Sequence, residues 1–350
     1  MVEKKRVLNQ RQKTLRVVDP RLLGFVFLIL ALLPIFIRNE YYLNILTICL
    51  IYATLATTWN LLVGYTGILS FGHQAFYGLG AYFSALITIN LHLSPWIGLL
   101  FGGSFAGLLS LAIGIPCLRL RIAPYVAIAT LAFSEIMLVI CRNWVSLTRG
   151  EMGLWGIPTF TDFSFLGLFD VKFSGGAKIS YYYVMLGIFV FTLLFIYLQL
   201  SRKTGTALKA IREDQDAASS LGVDITRYKL TAFITSSFFA GVTGSFYAHY
   251  LSILEPGAVF SVAEMVEVVA ITLVGGIGTF LGPTLGAFTL IIGLEVLRGV
   301  ADYRLMIYGA TLVILILLMP NGLLFGITNL VSRVSTMFDS YKTGKQKMSG

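Results

Sequence analysis

Glu135, Glu264, Glu267 and Glu295 all fall inside apolar stretches of this chain. A carboxylate at the centre of a membrane helix costs about 2.5–3.5 kcal/mol on insertion scales, so each defaults to a functional hypothesis. Glu264 and Glu267 are one helical turn apart near the end of their stretch and read as interfacial. Glu135 and Glu295 lie deeper and read as facing the interior of a helix bundle, with Arg298 one turn from Glu295 as its structural partner. His73, His92 and His249 are scattered and lack an HExxH partner, so the sequence offers no metal site. His73, in SFGHQAF, reads as a core histidine. No GxSxG elbow occurs, and Gly175-Gly176-Ala177-Lys178 and Gly344-Lys345 do not complete a phosphate-binding loop. Catalytic residues are therefore expected to be absent, and any nucleotide site belongs to another chain. Cys49, Cys117 and Cys141 have no CxxC spacing and read as buried reduced thiols.

The elements that would position these residues are membrane helices. The 350 residues are 57% hydrophobic and 12% charged, against roughly 25% charged in soluble domains. The expected fold class is all-α, a polytopic membrane protein with about ten transmembrane helices. Apolar segments lie near 22–37, 41–63, 73–91, 95–117, 124–141, 181–200, 230–251, 262–281, 283–299 and 304–320. Several are short or interrupted by glycine, so eight or nine full crossings also fit. The net charge of +9 does not indicate nucleic acid, because its Lys and Arg gather in loops and at the N-terminus. They cluster in the N-tail, in the 118–123 loop (Arg119, Arg121), in residues 201–229 and in the C-tail. Ten spans with the N-terminus inside put all four clusters in the cytoplasm. The expected organisation is a basic N-tail (1–21), a transmembrane domain (22–325) with an external loop (142–180) and a cytoplasmic loop (201–229), and a C-tail (326–350). No small-residue cleavage motif follows the first span, which is expected to stay as an anchor.

Two features stand out from the apolar background. Residues 201–229, SRKTGTALKAIREDQDAASSLGVDITRYK, carry ten charged side chains between two apolar segments. Within them Ala207, Leu208, Ile211, Ala218 and Leu221 can share one helical face, so the loop is expected to offer an amphipathic helix over 205–222 to a soluble partner. The second feature is a pair of glycine-dense segments, GYTGILSFGHQAFYGLGAY (64–82) and GGIGTFLGPTLGAF (275–288). Glycine this dense is costly in a free helix, but in a membrane it permits close helix contact or a broken helix around a cavity. Corresponding interrupted spans in two halves of a chain point to a substrate path and a weak internal repeat. The pathway candidates are Ser70, Phe71, Gly72, Phe76, Gly78, Gly80 and Tyr82 in the first segment and Gly275, Gly276 and Gly278 in the second.

These segments, with TRGEMGLWGIP (148–158), GTALKAIREDQDAASSLGVD and YKLTAFITSSFFAGVTGSFYA (205–248) and EMVEVVAITLVGGIGTFLGPTLGAF (264–288), resemble the LivM-type inner-membrane permeases of branched-chain amino acid ABC transporters. The resemblance runs from about residue 22 to 325, and the AIRED segment is its most specific part. It implies a permease that performs no covalent chemistry and binds no cofactor. ATP would be hydrolysed by two cytoplasmic ATPase subunits. A second homologous permease would complete the pathway, and an external or periplasmic binding protein would deliver the ligand. It further implies a bacterial or archaeal inner membrane with both termini cytoplasmic. By the same resemblance the ATPase-coupling residues are Gly205, Ala210, Ile211, Arg212, Glu213, Asp214, Ala217, Ala218 and Gly222. Permeases of the same plan carry urea, amides or other small polar solutes, and the outer loop departs from the family pattern at Arg149-Gly150-Glu151-Met152-Gly153. The competing class is an ion-coupled secondary transporter using Glu135 or Glu295. An importer fed by a binding protein is expected instead to have a weak, mostly apolar, glycine-lined passage without a deep acid.

Overall fold

A computed structural model describes residues 20–37, 39–119, 123–165, 169–171, 173, 178–299, 304–318 and 322–326. The expected basic N-tail up to residue 19, the C-tail from 327 and Arg121 lie outside them. The described chain is an all-α membrane protein. Its helices are α1 (Pro20–Phe36), α2 (Glu40–Asn60), α3 (His73–Leu91), α4 (Pro95–Arg119), α5 (Ala123–Asn143), α6 (Val145–Thr148), α7 (Lys178–Ser201), α8 (Lys203–Glu213), α9 (Gln215–Ser220), α10 (Ile225–Leu251), α11 (Pro256–Phe260), α12 (Val262–Gly275), α13 (Gly282–Val296) and α14 (Arg304–Leu318). The strands are short: β1 (Leu154–Trp155) pairs antiparallel with β4 (Ile253–Leu254), and β2 (Phe163–Phe165) with β3 (Phe169–Val171).

By length and composition, five described stretches suffice to cross a membrane: Glu40–Thr66, Pro95–Leu118, Pro124–Asn143, Lys178–Ser201 and Pro256–Gly275. The segment expected over 262–281 ends as a helix at Gly275. α3 and α10 do not pass the same apolar test, and their place in the bundle gives the reason. Both sit in its middle and carry polar side chains that bond inside it. Ser84 on α3 bonds His249 on α10 at 2.8 Å, and the His249 Nδ1 meets the Pro158 carbonyl of the outer loop at 2.7 Å. The apolar faces of α4, α5 and α7 point outward instead, with Leu100, Leu108, Ile128, Ile136, Phe191 and Leu194 all exposed.

The core forms where α3, α4 and α10 meet through small residues. A methyl group added at Gly80 would overlap the Gly241 backbone, and one added at Gly244 would overlap the Tyr77 carbonyl. Ser245 donates to the carbonyls of both Gly80, at 3.0 Å, and Gly241, at 2.8 Å. Lipid is as apolar as any side chain, so helix association here depends on this close fit and on such bonds. Overpacking a tight contact costs typically about 1–3 kcal/mol. Gly80→Ala is therefore expected to lower the melting temperature in detergent by that equivalent. Gly187→Ala, with no atom within 4 Å of the new methyl, is expected to leave it unchanged.

Candidate functional site

α2 does not stop cleanly. After Asn60 it widens into a π-turn over Leu61–Thr66 and ends at Gly67 with a left-handed φ of 74°. The buried Asn60 side chain holds the second glycine segment from this point. Its Nδ2 donates to the Thr279 carbonyl at 2.8 Å, and its Oδ1 accepts from the Gly278 amide at 2.8 Å. One amide thus pairs both polarities of the backbone between α12 and α13. Gly278 has φ 77°, which favours glycine, and a methyl there would also press 2.8 Å from the Arg212 guanidinium. Gly64 lies against the same turn, since its added methyl would come within 2.7 Å of the Gly278 nitrogen. The two glycine-dense segments are thereby in direct contact.

Arg212 completes the junction. It lies at the end of α8 and donates from Nη1 to the Gly64 carbonyl. The polar segment is thus tied to the point where both glycine segments meet. The segment is not the single helix expected over 205–222. Asp214 interrupts it with extended backbone and caps α9, its Oδ1 accepting from the amides of Asp216 at 2.9 Å and Ala217 at 3.0 Å. α9 ends in a Schellman turn: Val223 N–H reaches the Ala218 carbonyl at 3.1 Å, and Gly222 N–H the Ser219 carbonyl at 2.9 Å. Gly222 supplies the left-handed residue that this turn needs, with φ 82°. Gly205 fits tightly against the end of α7, where a methyl would overlap the Leu200 carbonyl.

Ala207, Leu208, Ile211 and Ala218 are buried, in agreement with the apolar face read from their spacing. Leu221 departs from it and is 83% exposed, because the break at Asp214 turns α9 off the register of α8. Glu213, Asp214, Asp216 and Ala217 are exposed beside it, while Ala210 is half-buried. The outward surface of the segment carries both signs of charge, with Lys203 and Arg212 exposed beside Glu213, Asp214 and Asp216, and one bare leucine.

The remaining pathway candidates are packed in this structure. Ser70, Gly72, Phe76, Gly78, Gly80, Tyr82, Gly275 and Gly276 are buried, and Phe71 is half-buried. Phe76 lies edge-on to Phe233 at 5.5 Å, and Gly78 accommodates the Phe260 ring. Tyr82 donates to the Leu254 carbonyl at 3.3 Å. His73 bonds the Thr58 hydroxyl at 2.9 Å inside the core. The three cysteines are buried and free. No cluster of metal-binding side chains occurs among the described residues.

The glutamates separate differently from the sequence reading. Glu295 does not face the interior. It lies at the end of α13, pairs with Arg298 at 3.1 Å and accepts from the Tyr41 hydroxyl. Glu135 is half-buried on α5. Glu264, read as interfacial, accepts from Tyr52 at 2.8 Å. Asn60 and Tyr52 were not singled out by sequence. A lone amide in an apolar span was the available signal for Asn60, since such a group needs a partner wherever water is absent.

Comparison with known proteins places this chain among transport permeases. The family described as "Branched-chain amino acid transport system / permease component" matches residues 41–317. The high-affinity branched-chain amino acid transport system permease protein LivM of Salmonella typhimurium is 32% identical over 322 residues, 88% of this chain and 75% of that protein. The corresponding permease protein LivH of Escherichia coli (strain K12) is 27% identical over 285 residues, 78% of this chain and 91% of its own. The nucleoside ABC transporter permease protein NupC of Lactococcus lactis is 22% identical over 197 residues, 53% of this chain and 60% of its own. No solved structure matches.

Asn60→Leu keeps the volume but orphans the Gly278 amide and the Thr279 carbonyl. Each unpaired buried group costs about 1–3 kcal/mol. The variant is expected to melt well below the wild type in detergent and to gain early protease cleavage between α12 and α13.

Proposed function

This chain belongs to the branched-chain amino acid transport permease family, and from that premise we propose that it is one membrane half of an ATP-driven importer for branched-chain amino acids. It is a transport subunit, not an enzyme. Two ATPase subunits would bind the charged, leucine-bearing surface of α8 and α9, a second permease would pair with this one, and an external binding protein would deliver the amino acid. ATP itself would be held by the partners.

The observation that carries the reading is the Arg212 contact. Displacement of α8 by an ATPase would pull on the Gly64 carbonyl, and Gly64 abuts Gly278 in the turn held by Asn60. A nucleotide-driven movement at the membrane edge would thereby reach both glycine segments at once and shift the access of the pathway. The candidates Ser70, Phe71, Gly72, Phe76, Gly78, Gly80, Tyr82, Gly275 and Gly276 would then move with the helices they join. Ten crossings in two weakly repeated halves, with both termini cytoplasmic, fit the charge distribution. The nucleoside permease among the relatives keeps a neutral polar solute as the alternative cargo. The ion-coupled alternative loses support, since Glu295 is engaged by Arg298 and Tyr41 at a helix end.

In proteoliposomes holding the full complex, Arg212→Ala is expected to reduce leucine uptake at least tenfold while basal ATP hydrolysis and assembly persist. Unchanged uptake would refute the coupling role. A cysteine at Ser219 is expected to be labelled only from the cytoplasmic side, against a background of three buried native thiols. Glu135→Gln and Glu295→Gln are each expected to retain more than half of wild-type leucine uptake at neutral pH.

A further inference from the structure

A cavity of about 370 Å³ opens between the start of α2 and the end of α13, within the range of small-molecule sites, about 300–1,000 Å³. Most of its wall is apolar. Leu46 comes from α2, Ile292 and Val296 from α13, and Ile37 follows α1. Tyr41 and Glu295 line the polar end. The cavity lies at the membrane edge remote from the Asn60 junction. Along α2, Tyr41 and Asn60 are about 28 Å apart at 1.5 Å per residue, against a hydrocarbon thickness of about 30 Å. α13 likewise runs from the Gly278 turn to the cavity.

Arg298 is fixed at the polar end but not used up there. Its Nη1 donates to Glu295 Oε1 at 3.1 Å and to the Tyr41 hydroxyl at 3.3 Å, and its guanidinium stands 5.8 Å from the Tyr41 ring centroid. A guanidinium has five N–H donors, and among the described residues only those on Nη1 are engaged. The side chain is 63% exposed. Tyr41 and Tyr42, with ring centroids 5.4 Å apart, match the aromatic belt found at the level of lipid headgroups. Below them Val296, 77% exposed, and Ile292, 42% exposed, present bare hydrocarbon at membrane depth. The cavity thus joins a held cation with spare donors to an apolar groove. A protein face laid over it would bury those donors, whereas a phosphate accepts from them. A small soluble solute would leave the apolar wall uncovered.

We propose that this cavity binds one phospholipid with a zwitterionic headgroup. The phosphate accepts from the spare donors of Arg298, and one acyl chain lies along Leu46, Ile292 and Val296. Glu295 faces the headgroup ammonium and keeps the site near neutral, which disfavours a lipid of net negative charge. Tyr41 positions the guanidinium. The bound lipid clamps α2 to α13 at one membrane edge, as Asn60 does at the other. The inference is independent of the cargo and goes beyond the transport reading.

The test is native mass spectrometry of the full complex in mild detergent, titrated with dioleoyl phosphatidylethanolamine, dioleoyl phosphatidylglycerol or phosphorylethanolamine, the headgroup without chains. We expect one equivalent of phosphatidylethanolamine to bind the wild type at least fivefold more tightly than phosphatidylglycerol, and phosphorylethanolamine not to bind. Arg298→Ala, which removes the phosphate donors, and Ile292→Trp, which fills the groove, should each weaken that binding at least tenfold. A phosphatidylethanolamine with a diazirine in its acyl chain should label the wild type at Ile292 or Val296, a readout that needs no variant to fold. Unchanged affinity in both assembled variants, or labelling that spares the end of α13, would overturn the site. Equal affinity for phosphatidylglycerol would overturn the zwitterionic assignment, and tight binding of phosphorylethanolamine would reduce the site to an anion site. A cysteine at Val296 that cross-links to a partner chain, with no lipid label there, would show a protein interface instead.

Discussion

Where no water reaches the backbone, every amide that leaves a helix must find another partner, and an unpaired group costs several kcal/mol. This chain leaves its helices twice at one place, at the end of α2 and between α12 and α13. It resolves both with one side chain, because Asn60 offers a donor and an acceptor to Thr279 and Gly278. The consequence is mechanical as well as energetic. The two irregular segments cannot move separately without stranding polar groups, so a force on one is felt by the other.

The hydrophilic segment is tied to that constraint. A guanidinium has donors to spare, and Arg212 uses Nη1 on the carbonyl of Gly64. Gly278 leaves room for the guanidinium where a side chain would press on it. The same crowding explains the glycines on the far side of the bundle without giving each a task in transport. Gly80, Gly241 and Gly244 are small because backbones touch there. The polar character of α10, which weakens its membrane signature, comes from Ser245 and His249 bonding inward across that contact.

Helix positions were largely legible in the amino-acid sequence, since an apolar stretch must become a helix in lipid. The apolar face of the hydrophilic segment was legible too, for Ala207, Leu208, Ile211 and Ala218 are buried as their spacing required. Leu221 was misread, because a helical period was carried across Asp214. The correct signal was local: an aspartate that caps the next helix, followed by a glycine that ends it. Glu264 lies near the end of α12, as its place in the apolar stretch implied, but its Tyr52 partner on α2 came only from the fold.

By itself, the sequence determined the all-helical membrane architecture, the hydrophilic segment between apolar stretches, the glycine-dense segments and the family they signal. Tertiary structure alone decided which of these meet. Asn60 and Gly278 are 218 residues apart, Tyr52 and Glu264 are 212 apart, and Arg212 and Gly64 are 148 apart. Hydrophobic patterning cannot rank such pairings in a membrane, because a face turned to lipid and a face turned to protein are equally apolar. The choice falls to close fit and to the few polar groups that must find one another, and both exist only once the helices have packed.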